Sequence, residues 1–129
     1  MQTAADLDRF YRAYIACLNA REWTRLADFV GAEVQHNGRR LGVDGYRAML
    51  ENDVAEIPDL RFVVELLVVD PPRVGARLRF DCSPRGMFLG LAVNGRRVNF
   101  SENVFYEIAN GRIDQVWSVL DKAGIEAQL

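Results

Sequence analysis

The chain has 129 residues, half of them hydrophobic, and its 16 basic and 18 acidic side chains leave a formal net charge of −2. That length gives one domain, 1–129, with a continuous core and room for a pocket, and its balanced charge offers no footprint for nucleic acid. No run approaches the ~18 apolar residues of a membrane span, and the segment from Met1 to Asp8 lacks the charged start and apolar stretch of a secretory leader, so the expected address is the cytoplasm.

Leu7, Phe10, Tyr11, Tyr14, Ile15 and Leu18 recur on one face of a 3.6-residue period, which predicts a first helix. Thr3, with Asp6 three residues on, supplies its start signal. A second, shorter helix is expected to turn Trp23, Leu26, Ala27, Phe29 and Val30 inward and to stop at Gly31. Glu33 to His36 reads as a short strand, followed by a turn at Asn37-Gly38. A third helix runs from about Asp44 to Glu56, with Tyr46, Met49, Leu50 and Val54 on one face and Pro58 beyond its end.

From there the period changes to two. Leu60 to Val69 is an apolar strand, and Pro71-Pro72 turns the chain. In the next strand Val74, Ala76, Leu78 and Phe80 alternate with Gly75, Arg77, Arg79 and Asp81. A loop carries Pro84 and Gly86, and Leu91 to Val93 forms a short strand. Turns at Asn94-Gly95 and Asn110-Gly111 bracket a strand from Val98 to Ile108. Ile113 to Leu120 is the last strand, and Lys122 to Leu129 a helical tail. Helices first, then an antiparallel meander, predict an α+β fold: N-terminal helices packed against a strongly curved, mostly antiparallel sheet that leaves a cone-shaped, barrel-like interior enclosing an apolar pocket.

Cys17 and Cys82 read as small buried hydrophobes rather than a disulfide framework. His36 is the only histidine, so a histidine-rich metal site is excluded. There is no glycine-rich phosphate loop and no nucleophile elbow.

The C-terminal run from Gly111 to Asp121 carries the sharpest candidate. By alternation Ile113, Gln115, Trp117, Val119 and Asp121 share one face. If that face meets the helices, Asp121 sits at the rim of an apolar interior beside Trp117 and Val119. Its pKa would rise there, as suits a general base beside a carbonyl compound. Asp121 also stands where it would cap the helix that follows. His36 is either a donor to a bound carbonyl oxygen or a strand-end residue of the Asn37-Gly38 turn. Glu102 shares a face with Phe100, Val104 and Tyr106, while Asn103 shares the other with Phe105, and parity alone leaves open which one lines the pocket. Arg77, Arg79 and Asp81 form either a solvated face of cross-strand ion pairs or an anchor for a substrate carboxylate. Met87, Phe88, Leu89 and Leu91 close the core or form a lid. Tyr14 and Phe88 complete the expected pocket wall.

Several stretches carry a resemblance: Pro58-Asp59-Leu60-Arg61-Phe62, Gly86-Met87-Phe88-Leu89-Gly90-Leu91, Gly95-Arg96-Arg97-Val98, Glu102-Asn103-Val104-Phe105-Tyr106, Asn110-Gly111-Arg112-Ile113 and Trp117-Ser118-Val119-Leu120-Asp121. In order and spacing the chain resembles the SnoaL-like polyketide cyclases, or ester cyclases, of the superfamily that shares the nuclear-transport-factor and ketosteroid-isomerase cone. The resemblance implies a deep hydrophobic pocket, association as a homodimer or tetramer through the outer sheet face, and aldol ring closure without metal or cofactor. It also implies that an aspartate at the position of Asp121 is the acid/base. Where many relatives carry a histidine before the Gly-x-Phe-x-Gly stretch this chain has Pro84, and neither histidine nor aspartate occurs near Asn103-Val104. The expected function is acid/base proton transfer on a small hydrophobic carbonyl compound, by a cyclase or isomerase. The alternatives are a non-catalytic domain that binds a small molecule and a purely structural one.

Overall fold

The computed structural model of the chain describes residues 2–129. Helix α1 (Ala4–Ala20) begins at a capping box: the Asp6 amide donates to Thr3 Oγ1 (3.1 Å) and the Thr3 amide to Asp6 Oδ2 (3.0 Å), which satisfies amides that a helix start leaves free. Its stripe of Leu7, Tyr11, Tyr14, Ile15 and Leu18 is buried, and each such side chain stabilises the fold by about 1.5–3 kcal/mol. At its end Asn19 clamps a distant backbone. Asn19 Nδ2 donates to the Phe62 carbonyl (2.9 Å), and the Phe62 amide donates to Asn19 Oδ1 (2.7 Å).

The second helix is a 3-10 helix, Trp23–Asp28, in which Ala27 is exposed. Gly31 does not stop it but lies inside strand β1 (Val30–His36). A Cβ on Gly31 would stand 3.3 Å from the Ile113 carbonyl oxygen, so the glycine serves the close approach of two strands. The two-residue β2 (Arg39–Arg40) folds back on β1, and α2 (Gly42–Glu56) follows.

Strands β3 (Val63–Asp70), β4 (Arg73–Cys82), β7 (Val98–Ala109) and β8 (Arg112–Leu120) form the meander, and β5 (Met87–Phe88) and β6 (Leu91–Ala92) pair as a separate small hairpin. The main sheet has the order β2-β1-β8-β7-β4-β3, antiparallel except for the parallel pair β1 and β8. It is curved and not closed into a barrel. The helices lie on its concave side, where Val74, Ala76, Leu78 and Phe80 of β4 and Phe100, Val104, Tyr106 and Ile108 of β7 are buried as the alternation predicts. A short helix, α3 (Lys122–Glu126), ends the chain. Among the described residues no helix is long and apolar enough to cross a membrane.

The strand β8 corrects the sequence reading. Glu107 pairs with Gln115 but Ile108 pairs with Ile113, which leaves Asp114 as an extra residue in a β-bulge. Ile113 is therefore buried, but the next buried residue is Val116, and Ser118 and Leu120 follow it inward. Trp117 and Val119 point out, 42% and 70% exposed. Together with Leu66, Val68 and Phe105 they make the convex face apolar. Register places Phe105 between Gly75 and Trp117, and its ring lies over Gly75.

Candidate active site

A cavity of about 210 Å³ lies between α1, α2 and the concave face of the sheet. Tyr14 and Leu18 of α1 and Tyr46, Met49, Leu50 and Asp53 of α2 form one wall. His36 of β1, Glu102, Val104 and Tyr106 of β7, and Val116, Ser118 and Leu120 of β8 form the other. A smaller cavity of about 80 Å³ adjoins it under Phe88 and shares Asp53, Phe62, Glu102 and Leu120 with it.

Glu102 is the central acidic group. Burial pushes its pKa up, a hydrogen bond from Ser118 Oγ opposes that rise, and the nearby Asp53 carboxyl adds to it. Asp53 is pushed up to about 6 by burial alone. Among the described residues no hydrogen bond to Asp53 opposes that rise. His36 is shifted downward, first by burial and then by Arg39, which keeps the ring neutral at pH 7.

Hydroxyl groups meet in two buried pairs. Tyr14 and Tyr46 are 2.7 Å apart at their oxygens, and Tyr11 and Tyr106 are 3.0 Å apart. Burial raises all four phenols, so they are neutral donors. If Tyr46 donates to Tyr14, the Tyr14 proton is free to meet an oxygen in the cavity.

The expected site residues divide. Tyr14, His36 and Glu102 come together around the larger cavity, and Phe88 walls the smaller one. Asn103 lies on the convex face, where its side chain accepts from Arg77 (3.3 Å). Trp117 and Val119 are on that face too, turned there by the bulge. Asp121 does not line either cavity: it is exposed and its Oδ1 accepts from the Gly124 amide (3.0 Å), capping α3. A Cβ on Gly124 would collide with that carboxylate, so the cap and the glycine form one unit. Arg77 pairs with Glu65 (3.2 Å) and Arg79 is exposed, both away from the cavity. No metal-binding cluster of histidine, cysteine, aspartate and glutamate occurs among the described residues.

Asp53, Tyr46 and Ser118 are cavity residues that the sequence reading did not single out for chemistry. For Asp53 a signal existed: Tyr46, Leu50, Asp53 and Ile57 recur at spacings of four, three and four, a helical stripe whose other members are buried.

Helices laid across a curved, mostly antiparallel sheet, with a mixed polar and aromatic cavity between them, define the cone-shaped α+β class. A family model described as SnoaL-like polyketide cyclase matches residues 8–129, and the chain belongs to that family. The crystal structure of a SnoaL-like polyketide cyclase from Agrobacterium tumefaciens is similar to it at 52% identity, with a TM-score of 0.93 over 99% of this chain and 98% of that one. TsrD from Streptomyces laurentii shares the fold at 24% identity and a TM-score of 0.85, over 99% and 97% of the two chains. IdmH from Streptomyces antibioticus shares it at 16% identity and 0.80, over 94% and 96%. None of the curated proteins matches the chain.

Proposed function

We propose that the chain is a small acid/base enzyme that moves a proton at carbon beside the carbonyl of a hydrophobic compound, as in ring closure by aldol addition or in isomerisation. The observation that carries this reading is Glu102, a carboxyl group facing the cavity, held by Ser118 and raised in pKa by burial. Such a group is a poised base. In this mechanism the ionised Glu102 takes the proton from carbon, and the electron pair moves onto the carbonyl oxygen as an enolate. The Tyr14 hydroxyl and the neutral His36 donate to that oxygen. Asp53, the second carboxyl group beside the cavity, takes part in returning the proton. These residues supply both acid and base, so the reaction requires neither a metal nor a cofactor.

The test is exchange of the hydrogens beside a ketone in D₂O, followed by NMR. Wild type should catalyse it and Glu102→Gln should not. Binding without exchange would favour a non-catalytic ligand-binding domain.

The same reading includes association of two copies through the convex face, supported by the exposed Leu66, Val68, Phe105, Trp117 and Val119. It also places the protein in the cytoplasm, where the free, buried Cys17 and Cys82 would stay reduced.

A further inference from the structure

The shape of the cavity narrows the substrate, on the basis of the acid/base reading above. Its two parts differ in character. The larger, about 210 Å³, carries the polar groups Tyr14, His36 and Ser118. The smaller, about 80 Å³, is walled by Phe80, Phe88 and Phe100 together with aliphatic side chains. Glu102 and Asp53 stand where the two meet, because both line each part.

An apolar cavity of about 150 Å³ takes benzene, roughly 25 Å³ per non-hydrogen atom. At that ratio the larger part holds roughly eight such atoms and the smaller roughly three. A ring with its attached carbonyl group fills the first, and a short alkyl arm fills the second. A fused polyketide of three or four rings, at more than about twenty atoms, would have to extend beyond both parts.

We propose that the substrate is a single-ring ketone with an alkyl arm of about three carbons, its ring and carbonyl group beside Tyr14 and His36, its arm among the phenylalanines, and the carbon that loses the proton at the junction facing Glu102. The arm gives orientation: it is the only part of such a molecule that the aromatic lobe accepts, so the carbonyl oxygen is turned toward the donors.

The experiment uses the phenyl alkyl ketones from acetophenone to hexanophenone, whose arms grow from one carbon to five. Binding is measured by calorimetry and hydrogen exchange beside the carbonyl group by NMR in D₂O. Affinity should rise about fourfold for each methylene up to three carbons and fall about tenfold at five as the lobe overfills. Phe88→Ala should move the best arm to five carbons, and Phe88→Trp should move it to one; thermal melts establish that each variant is folded, and either shift alone suffices. Affinity that climbs steadily through five carbons, or no binding across the series, overturns the proposal. The two readouts separate the claims. A chain-length optimum without exchange keeps the shape assignment and removes the acid/base reading. Exchange without an optimum does the reverse.

Discussion

Glu102 and Ser118 are diagonal neighbours across the β7–β8 pair. Glu102 stands opposite Leu120 and Ser118 opposite Val104, so the two side chains meet one step apart on the concave face. The Ser118 hydroxyl donates to the carboxylate and holds down a pKa that burial raises. Glu102→Gln should lower the exchange rate at least about 100-fold. Ser118→Ala removes only the hydrogen bond, so the Glu102 pKa should climb further. The rising limb of the pH–rate profile should then move to higher pH while the maximal rate changes less. A profile that stays in place would show that Ser118 does not orient the base.

Asp53 sets a stability difference with a definite sign. Its pKa of about 6 in the fold lies above the ordinary value of 3.8, so the folded state holds the proton more tightly than the unfolded chain. Stability from this group is full below about pH 3.8 and is lost as pH rises to about 6. Asp53→Asn should therefore gain on wild type across that window, by on the order of 1–3 kcal/mol at pH 8. Urea melts at pH 4 and pH 8 measure the difference. Equal gains at both would mean that Asp53 is not desolvated.

Asp121 is expected to matter for stability rather than for proton transfer. Asp121→Asn should keep exchange within about twofold, since Asn caps a helix as well as Asp does. Asp121→Ala should lower stability by about 1 kcal/mol and leave the rate of the folded fraction intact. Loss of exchange in a folded Asp121→Asn protein would return the base to that residue.

Asn37 positions the strand that carries Ser118. Its Nδ2 donates to the Ser118 carbonyl (3.2 Å), and the Ser118 amide donates to its Oδ1 (2.8 Å), while its φ of 48° closes the β1–β2 turn. Asn37→Gly keeps that backbone conformation and removes the clamp. It should reduce kcat several-fold, leave KM nearly unchanged, and raise the midpoint of the pH profile in the direction of Ser118→Ala. A purely structural role would lower the melting temperature and leave the profile alone.

Trp117→Arg tests the convex face. Trp117 is 42% exposed beside Phe105, so the charge should cost the monomer little. Sedimentation velocity should show wild type as an oligomer and the variant as a monomer of unchanged melting temperature. A monomeric wild type would remove the association reading.

The sequence disclosed the architecture because its periods were clean. The stripe from Leu7 to Leu18 and the alternation from Val74 to Phe80 each had one buried face to satisfy, and both landed as read. Glu102 was narrowed to a choice of faces, and its partners Phe100, Val104 and Tyr106 decide that choice by being buried together. The parity of β8 failed at Asp114, where one extra residue sits in the ladder; nothing in the local composition marks it. Gly31 misled for a related reason, since a glycine that lets two strands approach looks, in sequence, like one that ends a helix. Asp53 was passed over because a carboxylate on a helix reads as solvent-facing until its neighbours at three and four residues are weighed with it.

The bulge at Asp114 works as a reading frame for the strand that follows it. Everything from Val116 to Leu120 is assigned to its side of the sheet by that single residue. Were the same letters paired without the bulge, strict alternation from Ile113 would exchange the two sets: Trp117 and Val119 would be delivered to the cavity, and Ser118 to the convex surface. Which of them lines the pocket is thus decided by whether the ladder absorbs Asp114: a relative that lacks this residue keeps the same lining on an unbroken strand, and one that has it but pairs it would turn the same letters inside out.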